Sequence, residues 1–289
     1  AGIYALFAWG RYEEQWAHVA AWLGFGGGGL IAIVYSSGQG SLAAKGAVIA
    51  SLFILAERGL NYLKTWVDIK RRIRALIRMV WVLFHRPLLV TGWVASAGTI
   101  GMALFRNLIW LGGGRIQQIW AAVGLTIIVA LYALSARMFK QARFVWLAAF
   151  LSFIPWTIYH NLGWFTSYKP SLTEFAAAWT ILAWVSFLTS LIVGRFANLS
   201  YTRPLKTFTH ILLPFSMLWA IADTDVSLIT VGLSIALYAT CAWLTHRQFS
   251  STDGETDERI TDSVSAISAT RFLYPALGLI PLWFIYLLD

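Results

Sequence analysis

A chain that returns again and again to apolar runs of roughly twenty residues has few places to fold other than a lipid bilayer. Wound as a helix, such a run crosses the roughly 30 Å hydrocarbon layer while satisfying its own backbone N–H and C=O groups. The runs predict about nine spans, with a range of eight to ten: 16–35, 42–63, 87–105, 117–137, 144–161, 174–194, 207–222, 227–245 and 272–288. Composition agrees. The chain is 58% hydrophobic and 12% charged, where an ordinary soluble domain carries roughly a quarter charged residues. Sixteen tryptophans suit the membrane–water interface. The expected fold class is an all-α integral membrane protein. One transmembrane domain over 1–289 is expected, continuing a longer chain, because residues 1–10 read as the last turns of a helix without a basic leader.

Charge tests the span map independently. If the spans alternate direction, 18 of the 22 Lys and Arg fall on one side, leaving Lys45, Arg106, Arg115 and Lys169 on the other. The positive-inside rule puts the basic loops in the cytoplasm and the C-terminus outside, which in a bacterium means the inner membrane. The net charge of +9 is therefore an orientation signal spread over short connections, and it argues against nucleic-acid binding.

Two cytoplasmic connections are long. In 64–86 the apolar positions Trp66, Ile69, Ile73, Ile77 and Val80 recur at three and four residues, with Lys70, Arg71, Arg74 and Arg78 largely on other faces. The pattern predicts an amphipathic helix lying in the interface against anionic lipid. An extension of the preceding helix, packed on a partner, is the other reading. Residues 249–270 are acidic and Ser/Thr-rich and read as a flexible loop.

One short pattern recurs. Tyr4-Ala5 precedes Arg11, Tyr132-Ala133 precedes Arg137, and Tyr238-Ala239 precedes Arg247, each with a second alanine three residues on, at 8, 136 and 242. Small residues let helices approach closely, and the tyrosine suits the interface one turn in. The pattern predicts a tandem hairpin repeat. Over residues 117–289 it resembles large uncharacterised bacterial polytopic membrane proteins built of tandem transmembrane hairpins. The resemblance implies a tandem-hairpin membrane fold and brings no activity or site residue with it.

Little in the chain points to chemistry. Cys241 is the single cysteine, so neither an intrachain disulfide nor a Cys/His metal framework is available. The histidines at 18, 85, 160, 210 and 246 fall at or near span ends, and no two share a helix at haem-ligating spacing. Glu57-Arg58, close to the cytoplasmic end of its span, reads as a neutralised pair; a relay carboxylate is the sharper alternative. Gly26–Gly29 permit either close packing or a broken helix. The segment holding Trp156, Tyr159, His160, Asn161 and Trp164 is an aromatic belt, or else a surface that stacks a quinone, pigment or headgroup.

With no nucleophile elbow, dinucleotide fingerprint or mid-span carboxylate pair, an enzyme is not expected and catalytic and metal residues are left unassigned. The first functional expectation is a structural or interaction subunit that packs against other membrane proteins. The second is a transporter or lipid-handling protein with its site near Gly26–Gly29 or Trp156–Trp164. The third is a pigment-, haem- or quinone-binding electron-transfer subunit, with His160 or His210 as the axial ligand.

Overall fold

The computed structural model describes residues 1–65, 71–107, 114–163, 171–196, 199–250 and 258–288. These form ten α-helices and no strand. They are α1 (Gly2–Arg11), α2 (Glu14–Val34), α3 (Gln39–Thr65), α4 (Arg71–Asn107), α5 (Arg115–Phe139), α6 (Arg143–Asn161), α7 (Phe175–Phe196), α8 (Leu199–Ala220), α9 (Thr224–Ser250) and α10 (Glu258–Leu288). Six of them, α2, α3, α4, α5, α7 and α9, are long and apolar enough to cross a membrane. The chain is thus a multi-pass helical membrane protein. The other three expected spans fall on α6, α8 and α10; tryptophan, proline, hydroxyl and basic residues dilute the first two, and the apolar part of α10 is the shorter stretch Arg271–Leu287. The helices gather into two compact units, Ala1–Leu162 and Gly163–Asp289.

The expected break at Arg86-Pro87 is absent. Helix α4 runs unbroken through Pro87, so residues 71–86 are continuous with the apolar helix that follows them. Proline removes only the N–H that the Leu83 carbonyl would accept, a loss that membrane helices tolerate when neighbours pack around it. Pro87 is indeed fully buried. Residues 66–70 lie outside the described residues. Helical backbone also enters the expected loop 249–270 from both sides, α9 to Ser250 and α10 from Glu258; 251–257 lie outside the described residues.

Small residues bring α3 and α5 together in the first unit. Ala43, Ala44, Ala47, Ala121 and Ala122 are buried, and a Cβ on Gly124 would sit 2.9 Å from the Ala44 Cα. At the end of this contact Gln117 of α5 caps α3. Its Oε1 accepts the N–H groups of Gly40 at 3.0 Å and Ser41 at 3.3 Å, and its Nε2 donates to the Ser37 carbonyl at 3.2 Å. Free N–H groups at a helix start need such partners, above all where water is scarce.

The tyrosine pattern has a structural counterpart at two of its three sites. Eight residues after Tyr4 and after Tyr132, Tyr12 and Lys140 close their helices in the left-handed conformation at φ 56° and 53°. Twelve residues after them, Trp16 and Phe144 stack on the tyrosines at 5.7 and 6.4 Å between ring centroids. The third site departs: α9 continues past the equivalent position, and Tyr238 stacks on His210 instead, at 5.7 Å.

In the second unit hydroxyl and indole groups cross-link the helices. Thr180 Oγ1 of α7 donates to Ser216 Oγ of α8 at 2.9 Å, and Thr209 Oγ1 of α8 donates to the Ala183 carbonyl at 3.2 Å. Trp184 Nε1 donates to the Leu233 carbonyl and Trp283 Nε1 to that of Leu228, each at 3.1 Å. In an apolar medium these bonds replace the hydrophobic drive that water supplies to soluble bundles.

Candidate functional site

Two features of the first unit stand out, and they touch. The first is an acid–base pair between α3 and α4. Glu57 sits eight residues before the end of α3, with its side chain wholly buried. One carboxylate oxygen, Oε1, lies 2.6 Å from His85 Nδ1 of α4. The other, Oε2, lies 2.8 Å from Arg58 Nε. The Arg58 contact is an ion pair without hydrogen-bond alignment. An isolated buried carboxylate is costly, and partners of opposite charge with good hydrogen bonds are what offset that cost. Trp81 packs on the His85 ring at 4.7 Å, and the Lys64 ammonium lies 3.2 Å above Trp81. His85 keeps 31% of its side chain exposed at the surface of the bundle, against none for Glu57.

The second feature is a groove of about 870 Å³ between α4, α5 and α6, lined by Trp93, Ile100, Tyr132, Phe144, Trp146, Leu147, Phe150, Leu151, Ile154 and Arg143. Trp93 and Phe144 stack at 5.1 Å, with Tyr132 beside both. The Tyr132 hydroxyl is fixed by Ser96 Oγ of α4 at 3.1 Å, out of reach of water. The wall is therefore aromatic and rigid. Arg143 opens α6 at one end of the groove, near the exposed Arg137 in the last turn of α5 and the exposed Lys140 that caps it. From Arg143 to Ile154 the helix rises roughly 16 Å, close to the roughly 15 Å depth of one bilayer leaflet.

The link between the two is Phe139. The Arg58 guanidinium lies 3.6 Å from the Phe139 ring centroid, and Phe139 packs on Trp93 at 6.0 Å and Phe144 at 5.5 Å. The carboxylate's counter-ion thus rests on the back of the groove wall.

The cofactor-site candidates singled out from sequence do not assemble into this site. His160 is buried in α6, and Tyr159 shares a hydrogen bond with Thr126 Oγ1 of α5 at 3.2 Å. Trp156 is half-buried on the same helix, and Trp164 lies outside the described residues. His210, in the second unit, is sandwiched between Tyr238 and Phe272 at 5.7 and 5.5 Å. Helix α2 passes through Gly26–Gly29 without a break, and a Cβ added at Gly26, Gly27 or Gly29 would meet nothing within 4 Å. Among the described residues no three His, Cys, Asp or Glu side chains gather as a metal site would require. Sequence reasoning paired Glu57 with Arg58 but left His85 at a span end. The signal it passed over was that α4 could continue through Pro87, which carries His85 inward to the level of Glu57. Compared with family models, curated proteins and solved structures, the chain matches none of them.

Proposed function

We propose that this chain is a lipid-handling protein of a bacterial inner membrane, and that the groove of the first unit holds a lipid with an anionic headgroup. The observation that carries this reading is the match of shape and charge. The groove has the depth of one leaflet, an apolar aromatic wall for an acyl chain, and a single arginine at the end where a headgroup would lie. Its volume falls in the range of roughly 300–1,000 Å³ typical of small-molecule sites. The same orientation puts the basic loops, including Arg137, Lys140 and Arg143, in the cytoplasm and the C-terminus outside, with α6, α8 and α10 completing nine spans. The tyrosine-to-cap and tyrosine-to-aromatic spacings shared by α1–α2 and α5–α6 support the tandem-hairpin reading. Filling the groove tests the proposal. Native mass spectrometry of protein extracted with its lipids should find a retained anionic lipid in the wild type and much less in Ile154→Trp. Equal retention would count against the groove as the site.

An interaction subunit is the second reading, favoured by α2. A Cβ added at Gly26, Gly27 or Gly29 would meet no atom within 4 Å, while Leu30, Ile31, Ile33 and Val34 stand exposed beside them. Such a surface suits close approach of another membrane helix. Cross-linking from cysteines placed at 27 and 31, in native membranes, separates lipid from protein neighbours.

A further inference from the structure

We propose that Glu57 and His85 form a proton-exchange site, in which the imidazole carries protons between the exposed surface and the sealed carboxylate. Geometry supports this in three ways. The carboxylate is wholly buried, so a proton reaches it only through a neighbouring group. His85 Nδ1 stands 2.6 Å from Oε1, a distance at which a proton passes directly. The His85 side chain is 31% exposed, so the imidazole, unlike the carboxylate, reaches the surface of the helix bundle.

The step balances simply. In the resting pair the Glu57 carboxylate accepts the His85 Nδ1–H, which leaves a lone pair on Nε2. Nε2 takes up a proton from the surface. The imidazolium then gives its Nδ1 proton to Oε1, leaving a neutral imidazole protonated at Nε2 and a neutral carboxylic acid. One proton has entered, and no other bond has changed. The charge of the cluster has risen by one.

The surroundings leave few competing groups. On α3 these are Arg58, paired to Oε2, and Lys64, held over Trp81. On α4, Arg86 follows His85 and is exposed. Helix α5 sends the Phe139 ring against Arg58 and no charge. Helix α2 packs Trp16 and Ala17 by Leu83, and its Glu14–His18 pair, at 3.7 Å, is half-exposed near its own start. A purely structural ion pair would need no exposed imidazole between the carboxylate and the surface; a relay requires one.

Infrared difference spectroscopy of the full chain in liposomes tests the proposal. Acidification should produce the C=O band of a buried carboxylic acid that is absent in Glu57→Gln. On transfer to D₂O, exchange at that band should slow roughly 100-fold in His85→Phe, the scale of a lost positioned acid–base group. Should Glu57→Gln not fold, spectra with ¹³C-labelled glutamate in the wild type and in His85→Gln read the same band. No Glu57 band on acidification, or exchange that ignores His85, would overturn the proposal and leave a structural ion pair.

Discussion

Gly40 offers the most direct test of how the first unit is held together. A methyl group at this position would overlap the Gln117 carbonyl oxygen and lie 2.7 Å from the Gln117 carbonyl carbon. Both are backbone atoms, so no rotamer relieves the clash; α3 and α5 must move apart. Overpacking of this kind costs about 1–3 kcal/mol. The shift also pulls Gln117 Oε1 from the Gly40 and Ser41 N–H groups, two bonds worth about 0.5–1.5 kcal/mol each. Against this stands the helix-propensity gain of alanine over glycine, up to about 1 kcal/mol. Gly40→Ala should therefore lose about 1–6 kcal/mol. The control is Gly26→Ala, which meets nothing within 4 Å and should be neutral or gain up to about 1 kcal/mol. Unfolding in mixed micelles, titrated with SDS and followed by circular dichroism, measures both. A Gly40→Ala protein within about 0.5 kcal/mol of the wild type, on the scale of an ordinary surface change, would refute the close α3–α5 contact.

Other perturbations probe the site and the map. Arg143→Gln should weaken preference for an anionic over a zwitterionic lipid by about 1 kcal/mol, or roughly fivefold, in a lipid competition assay, while leaving zwitterionic binding unchanged. Tyr132→Phe breaks the buried bond to Ser96 and should cost about 0.5–1.5 kcal/mol in the SDS titration, with the groove intact. Lys140→Gly removes a side chain from a left-handed cap and should stabilise by about 1 kcal/mol, unlike the same change at Arg137 inside α5. In a Cys241→Ala background, a cysteine at Ser171 should react with an impermeant maleimide from outside intact cells. One at Gln141 should not, and the opposite pattern would invert the proposed orientation.

The period and length of the apolar runs were enough to identify a helical membrane protein, because a backbone in hydrocarbon must close its own hydrogen bonds and a helix does so locally. The starts and ends of α2, α3, α5 and α7 were legible for the same reason. Proline misled the reading at 86–87: in water it would end a helix, whereas here the bundle buries Pro87 and α4 continues. The hairpin pattern around Tyr4 and Tyr132 was visible as spacing, but its physical content, a left-handed cap eight residues on and a stacked ring twelve residues on, needed coordinates. Glu57 and Arg58 could be paired from sequence because they are neighbours. His85 could not, because which turn of α4 faces Glu57 depends on how two helices slide past each other. That register is set by small side chains and Pro87 across the contact. The groove was illegible for a like reason: Trp93, Tyr132 and Phe144 come from three helices, and only their packing makes one wall of them.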